Sequence, residues 1–138
     1  MPRNTDVTAP TPLRLWGPFV FWVLLIFALS SYPKAIIPQS KYISWDKLAH
    51  LTEFGILSYL TARAFRFSGI RALASRYLWI TPIFGLLYAI SDEWHQLFVK
   101  GRQASVYDIA ADFIGVLLGT LLFAFLLRRK SQTSQADS

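Results

Sequence analysis

A chain of 138 residues amounts to one domain, and with 54% hydrophobic residues and a mean hydropathy of +0.37 it carries more apolar side chain than a water-soluble fold of that size needs. The absence of cysteine excludes a disulfide framework, a thiolate metal site and a thiol nucleophile. The net charge of +6 does not mark a nucleic-acid-binding protein, because the basic residues fall between apolar runs and at the tail, not in one patch interleaved with exposed aromatics.

Residues 1–14 are polar, contain Pro2, Pro10 and Pro12, and read as a disordered tail. Residues 15–31 form a charge-free apolar run of spanning size, since a membrane helix needs about 17–25 residues. A signal peptide is the other reading, with Arg14 ahead of the run and Ala28, Ser30 and Ser31 behind it, but the run is long for that role. Residues 32–44, with Pro33 and Pro38, are expected to be a loop.

The second span, residues 46–64, is weakened by Asp46, Lys47, His50 and Glu53 in its first half. The third, residues 77–98, is apolar until Asp92, Glu93, His95 and Gln96. The fourth, residues 106–127, is interrupted by Asp108 and Asp112 and ends in Arg128, Arg129 and Lys130. Residues 131–138 read as a second disordered tail. The expected architecture is therefore all-α, a four-helix transmembrane bundle with short connections over residues 15–130.

Arginine placement orients the stack. Arg63, Arg66, Arg71 and Arg76 cluster around the second connection, and three more cations follow the last span. By the positive-inside rule both ends lie in the cytoplasm, the N-terminal tail with them, and the other two loops face out. The expected location is the cytoplasmic membrane of a bacterium, with the lipid bilayer as partner, no nucleic acid, and oligomerisation left open.

Six of the eight acidic residues and both histidines fall inside the spans. A charge in lipid costs at least about 2.5–3.5 kcal/mol on insertion scales, so such residues face a bundle interior or an aqueous cavity. Counting from the arginine ends at about 1.5 Å per residue, Glu53 lies about 15 Å up, His50 about 20 Å, Asp92 and Asp112 about 24 Å and Asp108 about 30 Å. All of these lie in the outer half of a hydrocarbon layer about 30 Å thick. Rotation agrees with depth: Asp46, His50 and Glu53 share one helical face, as do Asp92, His95 and Gln96, and as do Asp108 and Asp112. The last stripe continues as Gly115 and Gly119, a spacing that lets backbones pack closely. Arg102, in the short connection of residues 99–104, is the nearest expected cation, with Lys47 second.

Structural readings stand beside the functional ones. Asp108 follows Ser105 at a capping-box spacing, and Asp46 sits near a helix start. Asp92, Glu93, Arg102 and Asp112 are also the composition of an ion-paired clamp that pins a bundle shut. The tryptophans read mostly as interface anchors.

The ordered motifs Asp46-Lys47-x-x-His50, Asp92-Glu93-x-His95-Gln96 and Gly101-Arg102, followed by Asp108, Asp112, Gly115 and Gly119, resemble the VanZ-like family of small membrane proteins over residues 46–119. The resemblance implies an envelope protein of a family named for low-level teicoplanin resistance. Many relatives carry Pro where this chain has Lys100 and Asn where it has Asp112.

Three functions remain open on the sequence. One is an accessory protein whose outward polar site recognises a lipid-linked or cell-wall component, with Asp46, Lys47, Gln96, Arg102, Asp108 and Asp112 as binding residues. Another is a membrane-embedded hydrolase or transferase acting on a polyprenyl-phosphate-type lipid, with His50, Glu53, Asp92, Glu93 and His95 as catalytic candidates. The third is a proton- or ion-coupled transporter. No dedicated metal spacing is present, so cofactor and metal stay unassigned.

Overall fold

A computed structural model of the chain describes residues 10–33 and 45–136, the side chains of residues 46, 134 and 136 excepted. Four helices and no strand are found among them: α1 (Pro12–Ser30), α2 (Trp45–Arg66), α3 (Arg71–Gln96) and α4 (Val106–Ala136). Most of the loop expected at 32–44 lies outside the described residues, as do residues 1–9 and 137–138.

Three of the helices, α1, α3 and α4, are long and apolar enough to cross a membrane. Their outward faces are apolar: Val20, Phe21 and Leu24 on α1, Ile83, Leu87 and Ile90 on α3, and Leu118, Leu121 and Leu122 on α4 are all exposed. Faces of that kind suit acyl chains, not water. The remaining helix, α2, is the most polar of the four, and it packs against all three others. Phe54, Leu57, Ser58, Thr61, Ala62 and Ala64 on α2 are buried. A helix carrying ionisable groups survives in lipid by being surrounded, and at about 33 Å for 22 residues α2 is long enough to span.

Its tightest partner is α4, and glycine sets the approach. A Cβ on Gly115 would overlap the Leu51 carbonyl oxygen, and one on Gly119 would overlap that of Gly55. The small-residue stripe therefore lies against the α2 backbone itself. Below it, the Ser58 hydroxyl, 2.7 Å from both the Val116 carbonyl oxygen and Thr120 Oγ1, ties the two helices together.

The N-terminal helix docks through side-chain donors. Trp22 Nε1 donates to the Glu53 carbonyl (2.8 Å), and Tyr88 of α3 donates to the Val23 carbonyl (2.7 Å). Trp22 is thus an inter-helix fastener and not an interface anchor, whereas Trp45, Trp79 and Trp94 are exposed.

Several boundaries differ from the sequence expectation. Helix α1 begins at Pro12, with Thr11 capping it and proline in its first turn, so residues 12–14 are helical and not tail. Helix α4 runs to Ala136, because extending a formed helix through Ser, Gln, Thr and Ala costs at most about 0.7 kcal/mol per residue, without the cost of a new nucleus. Residues 131–136 are therefore helical as well. The start of α3 also moves, from residue 77 to Arg71.

Helix order up, down, up, down gives the bundle two unlike ends. At one, Arg63 of α2 donates to the Arg14 carbonyl of α1 (3.1 Å), and Arg66, Arg71, Arg128 and Arg129 lie at the same helix termini. At the other, the C-termini of α1 and α3 meet the N-termini of α2 and α4. The ionisable residues of the spans are gathered there.

Candidate functional site

Three helices each contribute one side chain to the centre of the polar end. His50 of α2, Glu93 of α3 and Asp112 of α4 are all buried, and one ligand atom from each lies within 4.8 Å of the others. His50 Nδ1 is 3.0 Å from Asp112 Oδ1. Glu93 Oε2 accepts the Ser105 backbone N–H at 2.7 Å. Each carboxyl group also holds a buried oxygen, Glu93 Oε1 and Asp112 Oδ2, that no donor among the described residues reaches.

Around this centre lie paired groups. Lys47 Nζ contacts Asp108 Oδ1 at 2.8 Å, with the lysine side chain 45% exposed and the aspartate 10%. Gln96 Nε2 donates to Asp92 Oδ2 at 2.9 Å, one helical turn away on α3. Both Asp92 and Gln96 are buried.

Beside the centre a cavity of about 270 Å³ is lined by Leu29, Ser30 and Tyr32 of the α1 end, Ala49, His50 and Glu53 of α2, and Arg102. His50 belongs to both the cavity and the buried cluster. The Glu53 carboxylate accepts no hydrogen bond from any described residue and lies on the cavity wall. Arg102 donates to the Leu29 carbonyl at 2.8 Å and to the Tyr32 carbonyl at 3.3 Å. Those are carbonyls at the C-terminal end of α1, where the helix dipole favours a cation. Arg102 is therefore held without a carboxylate partner among the described residues, and with five N–H donors it has several left for a ligand.

Several site expectations change in detail. Arg102 was expected nearest the acids with Lys47 second, but Lys47 makes the direct ion pair and Arg102 turns to α1. The clamp joining Asp92, Glu93, Arg102 and Asp112 is not formed. The capping-box reading of Asp108 also fails, since Glu93 takes the Ser105 N–H and Asp108 takes Lys47.

His95 leaves the stripe on which its spacing put it. At about 100° per residue, Glu93 and His95 project to opposite sides of the line through Asp92 and Gln96. Glu93 consequently faces α4, while His95 faces α1, stacked on Phe27 at 4.7 Å with Nε2 2.9 Å from Ser31 Oγ. The Ser31 hydroxyl donates to the Phe27 carbonyl at 2.7 Å, so His95 is the donor to Ser31. That arrangement is a latch, not a serine activated by a base. Asp46 lies in the first turn of α2, and its side chain is outside the described residues.

A bundle with apolar outer faces, one arginine-rich end and one end of buried ionisable groups is a polytopic helical membrane protein. The family model described as VanZ/LLP1 matches residues 11–128, and the chain belongs to that family. The match takes in α1, which the motif resemblance over residues 46–119 did not reach. No curated protein and no solved structure matches the chain.

Proposed function

We propose that the protein works in the bacterial cytoplasmic membrane as an envelope accessory protein, with both termini in the cytoplasm and the polar end facing out. Its cavity then recognises the anionic head group of a lipid-linked cell-wall component. The arginine clusters at the opposite end support that orientation. The observation that carries the reading is Arg102, a cation on the cavity wall without a described carboxylate partner, its guanidinium aimed by two α1 carbonyls. Cavity size limits the ligand. A volume near 270 Å³ lies just below the usual small-molecule range of about 300–1,000 Å³, enough for a phosphate-bearing head group.

The test uses purified protein in nanodiscs, with polyprenyl phosphate and the corresponding uncharged polyprenol as probes. Thermal stabilisation by the phosphate and not by the alcohol, lost in Arg102→Ala and partly retained in Arg102→Lys, supports head-group recognition. Equal stabilisation by both probes, or an unchanged response in Arg102→Ala, overturns it.

A second reading is favoured by one contact. His50 lines the cavity while its Nδ1 lies 3.0 Å from Asp112 Oδ1, the relation of a general base to the carboxylate that orients it. On that reading the protein is a hydrolase or transferase acting on the same class of lipid. Product formation from the polyprenyl-phosphate probe, abolished by His50→Gln, distinguishes it from recognition alone.

A further inference from the structure

We propose that His50, Glu93 and Asp112 form a binding site for one divalent first-row transition cation, with Zn²⁺ and Mn²⁺ the best-matched ions. The inference does not depend on what the cavity recognises.

Geometry is the first support. The three ligand atoms lie within 4.8 Å of one another and come from three different helices, so the bundle itself fixes their spacing. Ligands about 2.0–2.2 Å from a tetrahedral cation are about 3.3–3.6 Å apart. His50 Nδ1 and Asp112 Oδ1, at 3.0 Å, are already near that separation.

The second support is independent of spacing and concerns satisfaction. Glu93 is 2% exposed and Asp112 0%, yet each keeps an oxygen without a donor among the described residues. Buried carboxylate oxygens are normally hydrogen-bonded, and a pair of acids facing each other in a lipid-embedded core is costly unless something positive joins them. A dication supplies what both lack. Among the described residues the nearby cations have other contacts: Lys47 contacts Asp108, and Arg102 contacts the end of α1.

Ligand chemistry selects the ion. One imidazole with two carboxylates and no thiolate suits Zn²⁺ and Mn²⁺, whereas Cu(I) prefers sulfur and Mg²⁺ or Ca²⁺ prefers an all-oxygen shell. The Ser105 N–H on Glu93 Oε2 is an outer-shell partner that orients the ligand. Three protein ligands leave a coordination position open, and one of the three, His50, also lines the cavity.

The test needs no knowledge of substrate. Full-length protein without a polyhistidine tag is purified into nanodiscs, stripped with chelator, and titrated with Zn²⁺, Mn²⁺ and Mg²⁺, bound metal being measured by mass spectrometry. About one Zn²⁺ or Mn²⁺ per chain is expected, with Mg²⁺ bound far more weakly. Since loss of an outer-shell partner alone costs about 10–100-fold in affinity, Asp112→Asn and Glu93→Gln are expected to weaken binding by on the order of 100-fold or more.

Should those variants fail to fold, electron–nuclear double resonance on the wild-type Mn²⁺ form reads the ligand set directly. With only two histidines in the chain, a single nitrogen coupling that disappears in His50→Gln and persists in His95→Gln identifies the ligand. Folded wild-type protein that binds neither metal overturns the proposal. So does binding that survives in folded Asp112→Asn and Glu93→Gln, or a manganese spectrum without nitrogen coupling.

Discussion

The interface between α2 and α4 solves one packing problem in two ways. Toward the arginine-rich end the helices meet backbone to backbone at Leu51, Gly55, Gly115 and Gly119, with Ser58 and Thr120 fastening them just beyond. Toward the polar end, side chains fill the gap: Lys47 reaches Asp108, and His50 reaches Asp112. Between lipid-embedded helices there is no hydrophobic drive to associate, so close van der Waals contact and hydrogen bonds do the holding. The glycine half supplies that contact. The polar half, relieved of it, can keep the buried Asp112 Oδ2 without a donor among the described residues.

The sharpest way to break this comparison is to add bulk at Gly119. In Gly119→Leu the new side chain meets the Gly55 carbonyl and the Tyr59 amide, which are backbone and cannot swing aside. The expected loss exceeds the usual overpacking cost of about 1–3 kcal/mol. Detergent size-exclusion chromatography and thermal unfolding check it, and a monodisperse variant with wild-type melting would show that the glycines do not set the approach.

A smaller effect is expected where a hydroxyl is removed. Ser58→Ala loses the donor to the Val116 carbonyl, though Thr120 still reaches that oxygen at 2.9 Å. Interhelical hydrogen bonds in membranes average about 0.6 kcal/mol and reach about 1.7 at most, so equilibrium unfolding in mixed micelles is expected to report a loss in that range.

Gly55 sharpens the comparison by going the other way. A Cβ there sits 3.5 Å from the Gly115 carbonyl oxygen, ordinary contact, and alanine favours helix over glycine. Gly55→Ala is therefore expected to be neutral or stabilising by up to about 0.5–1 kcal/mol in the same unfolding measurement. The smallest effect belongs to the rim of the polar half. With Lys47 45% exposed and glutamine still able to donate to Asp108, Lys47→Gln is expected to cost a few tenths of a kcal/mol. The difference from wild type should shrink as salt is raised.

Much of the fold was legible because membrane helices announce themselves by length and apolarity, as α1, α3 and α4 do. The packing face of α4 was legible too, because Asp108, Asp112, Gly115 and Gly119 follow helical spacing onto one side. Helix ends were less so: residues 131–136 are polar enough to read as tail, but a long formed helix carries them along.

In the site, grouping by periodicity held for Asp108 and Asp112 on α4, which both meet α2, and failed for His95 on α3. Spacing placed His95 with Asp92 and Gln96, and only the positions of α1 and α4 decide that His95 turns one way and Glu93 the other. The Glu93–Ser105 bond had a readable signal, since Ser105 lies in a short connection that must fold back beside the end of α3. The aim of Arg102 at the end of α1 had none, because it depends on where a helix distant in sequence comes to rest.

The account rests on three helices delivering His50, Glu93 and Asp112 to one point inside the polar end. A density map of the protein in a lipid nanodisc, with a rigid fusion partner to aid alignment, tests this directly. The expected result is the histidine and both carboxyl groups in mutual contact distance, with Gly119 against Gly55 below them. Either carboxylate turned toward acyl chains, or His50 separated from Asp112 by an intervening side chain, would contradict it.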